Sequence, residues 1–152
     1  MSDNFPVNFP SQSVAVTNNT VNNISIDDND SSAQLALSAA LAGSERKAAD
    51  ICLLKISEVS YLADYFVVMT GYSRVQVRAI ADSVEDKIEE DLHRRPLRSE
   101  GKADGNWILH DYGDVIVHVM MTKEREFYNL EAFWGHGERI EFSPPHDGSQ
   151  PI

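Results

Sequence analysis

WILHDYGDVIVHVMM, running from Trp107 to Met121, decides how this chain folds. Two rows of β-forming residues flank a short polar centre, and Gly113 within it can take positive φ. The simplest register is a two-residue hairpin turn at Tyr112-Gly113. That turn would set Asp111 opposite Asp114, Leu109 opposite Ile116 and Trp107 opposite His118. Strand alternation then gives two faces. One carries Ile108, His110, Val115, Val117 and Val119, a valine-rich side expected to pack against helices. The other carries Trp107, Leu109, Ile116, His118 and Met120, a mixed set suited to a partly open surface.

Upstream, YFVVMT (residues 65–70) reads as a strand buried on both faces, punctuated by Gly71. Ser73-Arg74-Val75-Gln76 matches a capping box and opens a helix. Val77, Ile80, Ala81, Val84, Ile88 and Leu92 form its apolar stripe, and Pro96 bars its continuation. PLRSEG reads as a short strand and KADGN as a turn. DICLLKIS has strand length, and EVSYLAD connects it to the next strand. AQLALSAALAGSERKAA favours helix, with Ser32 as its N-cap. Downstream, Thr122 is the expected N-cap of a last helix, with Glu124 and Glu126 at the positive end of its dipole. Phe127, Leu130 and Trp134 share a face of that helix, Tyr128 and Phe133 flank it, and Gly135 ends it. The order is α-β-β-α-β-β-β-α: an α/β (α+β) chain with a mixed sheet of about five strands and flanking helices.

A length of 152 residues suits one domain. Residues 1–32 are polar and acidic and read as a disordered tail; 143–152 read as a flexible C-terminal tail, leaving a folded domain over 33–142. The net charge is −11. Residues 1–32 hold four acids and no Lys or Arg, so 13 basic and 20 acidic residues remain beyond them, a net of −7. A phosphate backbone would repel such a domain, so little or no direct nucleic-acid contact is expected. A basic protein surface would attract it. No stretch approaches the roughly 18 apolar residues of a membrane span. MSDNFPVNFP lacks the basic region and apolar run of a secretory signal, and no Arg precedes Arg46, so a cytoplasmic location is expected. The single cysteine, Cys52, lies in an apolar run and reads as a buried small hydrophobe rather than a nucleophile.

Several chemistries can be weighed on these residues. Asp111 and Asp114 as catalysts would need a substrate or metal between them. Opposed carboxylates otherwise repel unless a cation or a basic partner sits there. No third acid or nucleophile has a place nearby, so turn chemistry or partner contact outweighs catalysis. His118 reads as a half-buried histidine stacked on Trp107, while His110 falls on the opposite face, so the two do not share a metal. His136 follows a helix end and is expected to be exposed. TGYSR (70–74) joins a strand, a glycine and a helix N-terminus, a place for a phosphate. Nucleotidyltransferases use such a junction together with two acids alternating on a following strand. Here the next acids, Asp82, Glu85 and Asp86, lie in a helix, so the metal clamp is missing and Ser73 is explained as a cap. Tyr128, Phe133 and Trp134 fit core better than a cofactor box. No cofactor and no metal are expected.

DYFVVMTGYSRVQVRAIAD, NWILHDYGDVIVHVM and REFYNLEAFWG together resemble the ribosomal silencing factor family (RsfS, also called Iojap-like) over about residues 33–142. The resemblance implies a nucleotidyltransferase-like topology without the catalytic acids, and a protein that is not an enzyme. It implies binding to the large ribosomal subunit through its fourteenth ribosomal protein, at the face that meets the small subunit. Subunit joining would be blocked and translation lowered when nutrients are short. Family matching points to Trp107 as an aromatic anchor, with Asp111 and Asp114, flanking Gly113, meeting Arg or Lys, and with Tyr112, His118, Glu124, Arg125 and Tyr128 completing the patch. An aromatic at a strand start serves equally well as core, so both roles stay open for Trp107. Two rivals remain: a nucleotidyltransferase-like enzyme or nucleotide-binding protein using Ser73, and a homodimerisation module.

Overall fold

β2, Tyr65–Gly71, is buried at all seven positions and forms the spine of the fold. The structure, a computed structural model, describes residues 30–144. The expected tails therefore fall mostly outside the described residues, at 1–29 and 145–152. The element order is α1 (Ser31–Glu45), β1 (Ala49–Lys55), β2, α2 (Arg74–Leu92), β3 (Arg98–Glu100), β4 (Trp107–Asp111), β5 (Val115–Met121), α3 (Thr122–Tyr128), α4 (Leu130–Phe133) and β6 (Glu138–Glu141). One mixed sheet results, in the order β3-β4-β5-β2-β1-β6. Among the described residues only β2 and β5 pair in parallel, and α2 lies in the crossover between them. The sheet has six strands where about five were expected. The sixth comes from ERIE, a short segment with a single buried residue, Ile140, and so without a strand's apolar pattern.

α1 and α2 cover one face. Their apolar stripes meet Val67, Met69, Ile108, Val115, Val117 and Val119 in the main core. The valine-rich face of the hairpin is thus the helix-packed one, as its alternation required. Gly71 permits this close approach: a Cβ there would lie 2.9 Å from Val77 Cγ2. The other face is covered thinly. Cys52, Leu54, Phe66, Val68, Ile116 and Met120 form a second cluster, over which Trp107, Leu109, Leu130 and Trp134 are only partly buried.

Four local expectations are corrected. First, α1 begins two residues earlier than the Ser32 cap implied: Asp30 caps it, accepting from the Ala33 N–H at 2.9 Å. Ser32 is buried inside the helix. Second, Ser73 Oγ accepts from the Gln76 N–H at 3.0 Å, but Gln76 Oε1 takes the Tyr72 N–H at 2.7 Å, so the capping box closes one residue early. Third, the hairpin turn sits at Gly113-Asp114, closed by Tyr112 N–H to Val115 O at 2.8 Å, with Gly113 at φ +93°. Leu109 therefore pairs with His118, and Trp107 with Met120. The register moves by two residues, which leaves every side chain on its expected face. Fourth, Met121 rather than Thr122 is the N-cap residue of α3, and Asn129, in left-handed geometry at φ 45° and ψ 57°, breaks the expected last helix into α3 and α4. Phe127, Leu130 and Trp134 consequently do not share one face. Leu130 and Trp134 turn onto the sheet, while Phe127 and Phe133 stay exposed.

Candidate docking face

The two aspartates of the opening motif do not face each other. Asp114 is gripped by two side chains, Arg94 and Ser32. Arg94 reaches its carboxylate with both terminal nitrogens, at 2.8 and 3.2 Å, and also donates to Tyr112 O at 2.9 Å. Ser32 Oγ lies 2.9 Å from Asp114 Oδ2 and 2.7 Å from Asp64 Oδ2. Partial burial works against the charge of Asp114. The hydrogen bonds from Arg94 and Ser32 outweigh it and hold the carboxyl below its ordinary range. Asp114 thus ties α1, the segment after α2 and the β4–β5 turn together. Asp111 accepts from the Gly113 N–H at 2.8 Å and sits 3.5 Å from Arg98 Nε. Each carboxylate has a cation of the chain beside it, Arg94 for Asp114 and, for Asp111, Arg98, which also meets Glu100 at 3.2 Å. These intrachain pairings, with Arg94 and Ser32 for Asp114 and with Arg98 for Asp111, are ones that the sequence spacing did not reveal.

Tyr112 and His118 are enclosed as well. The Tyr112 ring lies in the main core and its hydroxyl has no hydrogen-bond partner among the described residues. His118 is buried on the other side of the sheet. Burial pushes its imidazole down to about 4, so it is neutral at physiological pH. Its Nδ1 accepts the Trp107 Nε1–H at 3.1 Å. Neither ring reaches a partner unless the fold opens. His110, on the opposite face, is also buried: its Nε2–H donates to Ala81 O at 3.0 Å, leaving Nδ1 to accept from Ser99 Oγ at 2.7 Å.

Trp107, by contrast, is half-buried, and its ring lies 4.9 Å from that of Tyr128, which is 51% exposed. Phe127 meets Tyr128 edge-on at 4.9 Å and is itself 78% exposed. An aromatic corner therefore stands where β4 begins and α3 ends, with its inner edge on the second cluster. Tyr128 and Phe133, expected to be core, are exposed; Trp134 alone of that trio packs inward, against Phe66 at 5.6 Å. Along β4, Trp107 and Asp111 are four residues, about 13 Å, apart. The aromatic corner and the clasped turn are opposite ends of the hairpin, not one patch.

Arg125 lies on α3 but is engaged inward. Its guanidinium meets Glu131, the Asp50 carbonyl at 2.7 Å and Thr70 Oγ1 at 2.9 Å. Partial burial opposes the charge of Glu131, and Arg125, with help from Arg139, more than compensates, holding that carboxyl below its usual range. These residues line a cleft of about 400 Å³ with Tyr72, Thr122, Asn129 and Glu141. Glu131 and Arg139 were not singled out in the sequence. Their pairing depends on the Asn129 break and on β6, neither of which has a periodic signal. Glu124 is half-buried in the first turn of α3. Cys52 is buried, and burial pushes its thiol up to about 12. Among the described residues, no three His, Cys, Asp or Glu side chains converge as a metal site, and no helix is long and apolar enough to cross a membrane.

The fold and this face define a small mixed-sheet α/β domain that shows aromatic side chains at one end of an otherwise internally paired hairpin. Comparison with known proteins gives the particular family. The family model described as ribosomal silencing factor during starvation matches residues 29–151. Ribosomal silencing factor RsfS of Bacillus subtilis is 41% identical over 97 residues, covering 64% of this chain and 81% of that protein. The chloroplastic protein Iojap of Zea mays is 35% identical over 118 residues, covering 78% of this chain; the chain spans about half of that relative's length, 51%. A crystal structure of a Chromobacterium violaceum protein superimposes with a TM-score of 0.65 at 35% identity, covering 76% of this chain and 91% of that one. The chain belongs to the ribosomal silencing factor (RsfS, Iojap-like) family.

Proposed function

We propose that this domain binds the large ribosomal subunit through its fourteenth ribosomal protein and keeps the small subunit from joining, lowering translation under nutrient limitation. Membership of a family described by silencing during starvation supports the physiological setting. The observation that carries the contact is the aromatic corner of Trp107, Tyr128 and Phe127, which is exposed on a thinly covered sheet face while the motif's charged residues are paired within the chain. Large aromatic side chains at a rim of buried apolar surface concentrate binding energy. The net charge of −7 beyond residue 32 favours a basic protein surface over rRNA. No chemistry is needed. A folded body of about 115 residues is roughly 30 Å across, enough to occupy an intersubunit contact position.

Co-sedimentation with isolated large and small subunits at near-physiological salt tests this, with small subunits then added to measure joining. Capture by large subunits alone, with joining suppressed, is the expected result. Equal recovery with both subunits, or capture without an effect on joining, sinks the mechanism. Light scattering on the free protein measures whether the chain self-associates.

A further inference from the structure

The His118 imidazole is in an unusual position. Its Nδ1 accepts the Trp107 indole N–H, so its own proton is on Nε2. That Nε2–H is buried and has no hydrogen-bond partner among the described residues. The nearest ring is Phe66, whose centroid is 4.8 Å away in an edge-on arrangement. A buried donor without an acceptor is unfavourable, and a phenylalanine or leucine would fill the same space without that cost. For packing alone, histidine is a poor choice here. What it supplies, and an apolar residue does not, is one acceptor pointed at Trp107.

Trp107 has a single hydrogen-bonding group, its Nε1–H. With that group bound to His118, the indole is tied down from inside the sheet. Its ring packs against Tyr128 at 4.9 Å and against His118 at 5.8 Å, both at a tilt of nearly 50°. From these contacts we infer that His118 is a positioning residue: it fixes the Trp107 ring in the docking pose and removes its donor from the surface. This rests on the docking reading above and refines it. A partner then meets Trp107 only through ring carbons. Groups that suit such a surface are aliphatic stems and cations lying over the ring, that is, Lys or Arg side chains, rather than carbonyls or phosphates that would accept from the indole. The acidic character of the domain is consistent with that choice.

The test uses the full chain. Its two tryptophans give two indole N–H resonances, and Trp134 serves as an internal reference. Two variants are compared with the wild type: His118→Phe, which fills the space without an acceptor, and His118→Asn, which keeps an oxygen near the Nδ1 position. In the free protein, His118→Phe should shift the Trp107 indole resonance and speed its exchange with water, leave Trp134 in place, and not lower Tm. Affinity for large subunits should fall about three- to tenfold, the equivalent of one ordinary hydrogen bond. His118→Asn should restore the indole signature and most of the affinity. An unmoved Trp107 resonance in His118→Phe overturns the inference, as does a moved resonance with unchanged affinity. A collapse of Tm with both indoles perturbed would make His118 a core residue and nothing more, again overturning it. Failure of the wild type to bind large subunits would remove the docking reading, while the indole resonances would still decide whether His118 holds Trp107.

Discussion

Replacing Asp114 with Asn tests whether the acidic motif serves the fold or a partner. In the native state the carboxylate accepts two bonds from Arg94, at 2.8 and 3.2 Å, and one from Ser32 at 2.9 Å. Charge-assisted bonds of this kind contribute about 1.5–3 kcal/mol each when shielded. The two side chains are 24% and 34% exposed, so water takes over part of each lost contact. Discounted for that screening, the expected cost is about 1.5–2.5 kcal/mol. Unfolding entropy of roughly 2.1 cal/mol/K per residue over the 115 residues of 30–144 gives about 0.24 kcal/mol per degree, so Tm should drop by about 6–10 °C. The sign of the pH dependence is fixed. The folded pKa of Asp114 is depressed below the unfolded value of about 3.9. Its contribution is therefore complete at neutral pH and is lost as pH falls below about 4 and through the folded value. Thermal melts of wild type and Asp114→Asn from pH 7 to pH 3 should show a constant gap that closes in acid. A gap under 1 °C at pH 7, or one that is undiminished at pH 3, would refute the clasp.

Other residues separate in the same way. Trp107→Ala removes a half-buried indole, so Tm should fall by an amount equivalent to about 2–3 kcal/mol, less than for a core tryptophan, while large-subunit capture should drop at least tenfold; capture at wild-type level would end its role as anchor. Tyr112→Phe removes a buried hydroxyl that has no hydrogen-bond partner among the described residues, and should leave Tm equal or higher and capture unchanged, as read by melts and co-sedimentation. Cys52, buried and with its thiol raised to about 12, should resist alkylation at pH 8 in the native protein and label rapidly in denaturant, by mass spectrometry.

The parts of this fold that could be read from sequence are those with long apolar periods. β2, β5 and the α2 stripe were placed because each buries five or more residues in a regular pattern. Face assignment in the hairpin survived a two-residue error in register because the side-chain period is two. Short elements were lost for the opposite reason. β6 buries one side chain, and the α3–α4 break depends on one residue, Asn129, adopting left-handed geometry. The candidate site was half legible. Trp107 and Tyr128 do come together, but the surroundings of Asp111, Asp114 and Arg125 depended on partners 6 to 82 residues away in sequence, such as Ser32 for Asp114. Local spacing has no access to those pairings.

Asp114 is paired with Arg94 and Asp111 lies beside Arg98 within the chain, so on the proposed docking reading the attraction to a basic surface is expected to come from the overall charge rather than from ion pairs of these two carboxylates. The two effects act on different rates. Diffuse charge steers encounter and is screened over about 8 Å at physiological ionic strength, so it governs association. On the proposed docking reading the aromatic corner is engaged only after contact, so it should govern dissociation. Stopped-flow binding to large subunits should therefore show an association rate that falls steeply as salt is raised, with a dissociation rate that barely moves. Trp107→Ala should raise the dissociation rate about tenfold or more and leave the salt dependence of association intact. Were salt instead to act mainly on dissociation, specific ion pairs would be holding the complex, and the internal pairing of Asp111, Asp114 and Arg125 would have to be exchanged for partner contacts on binding.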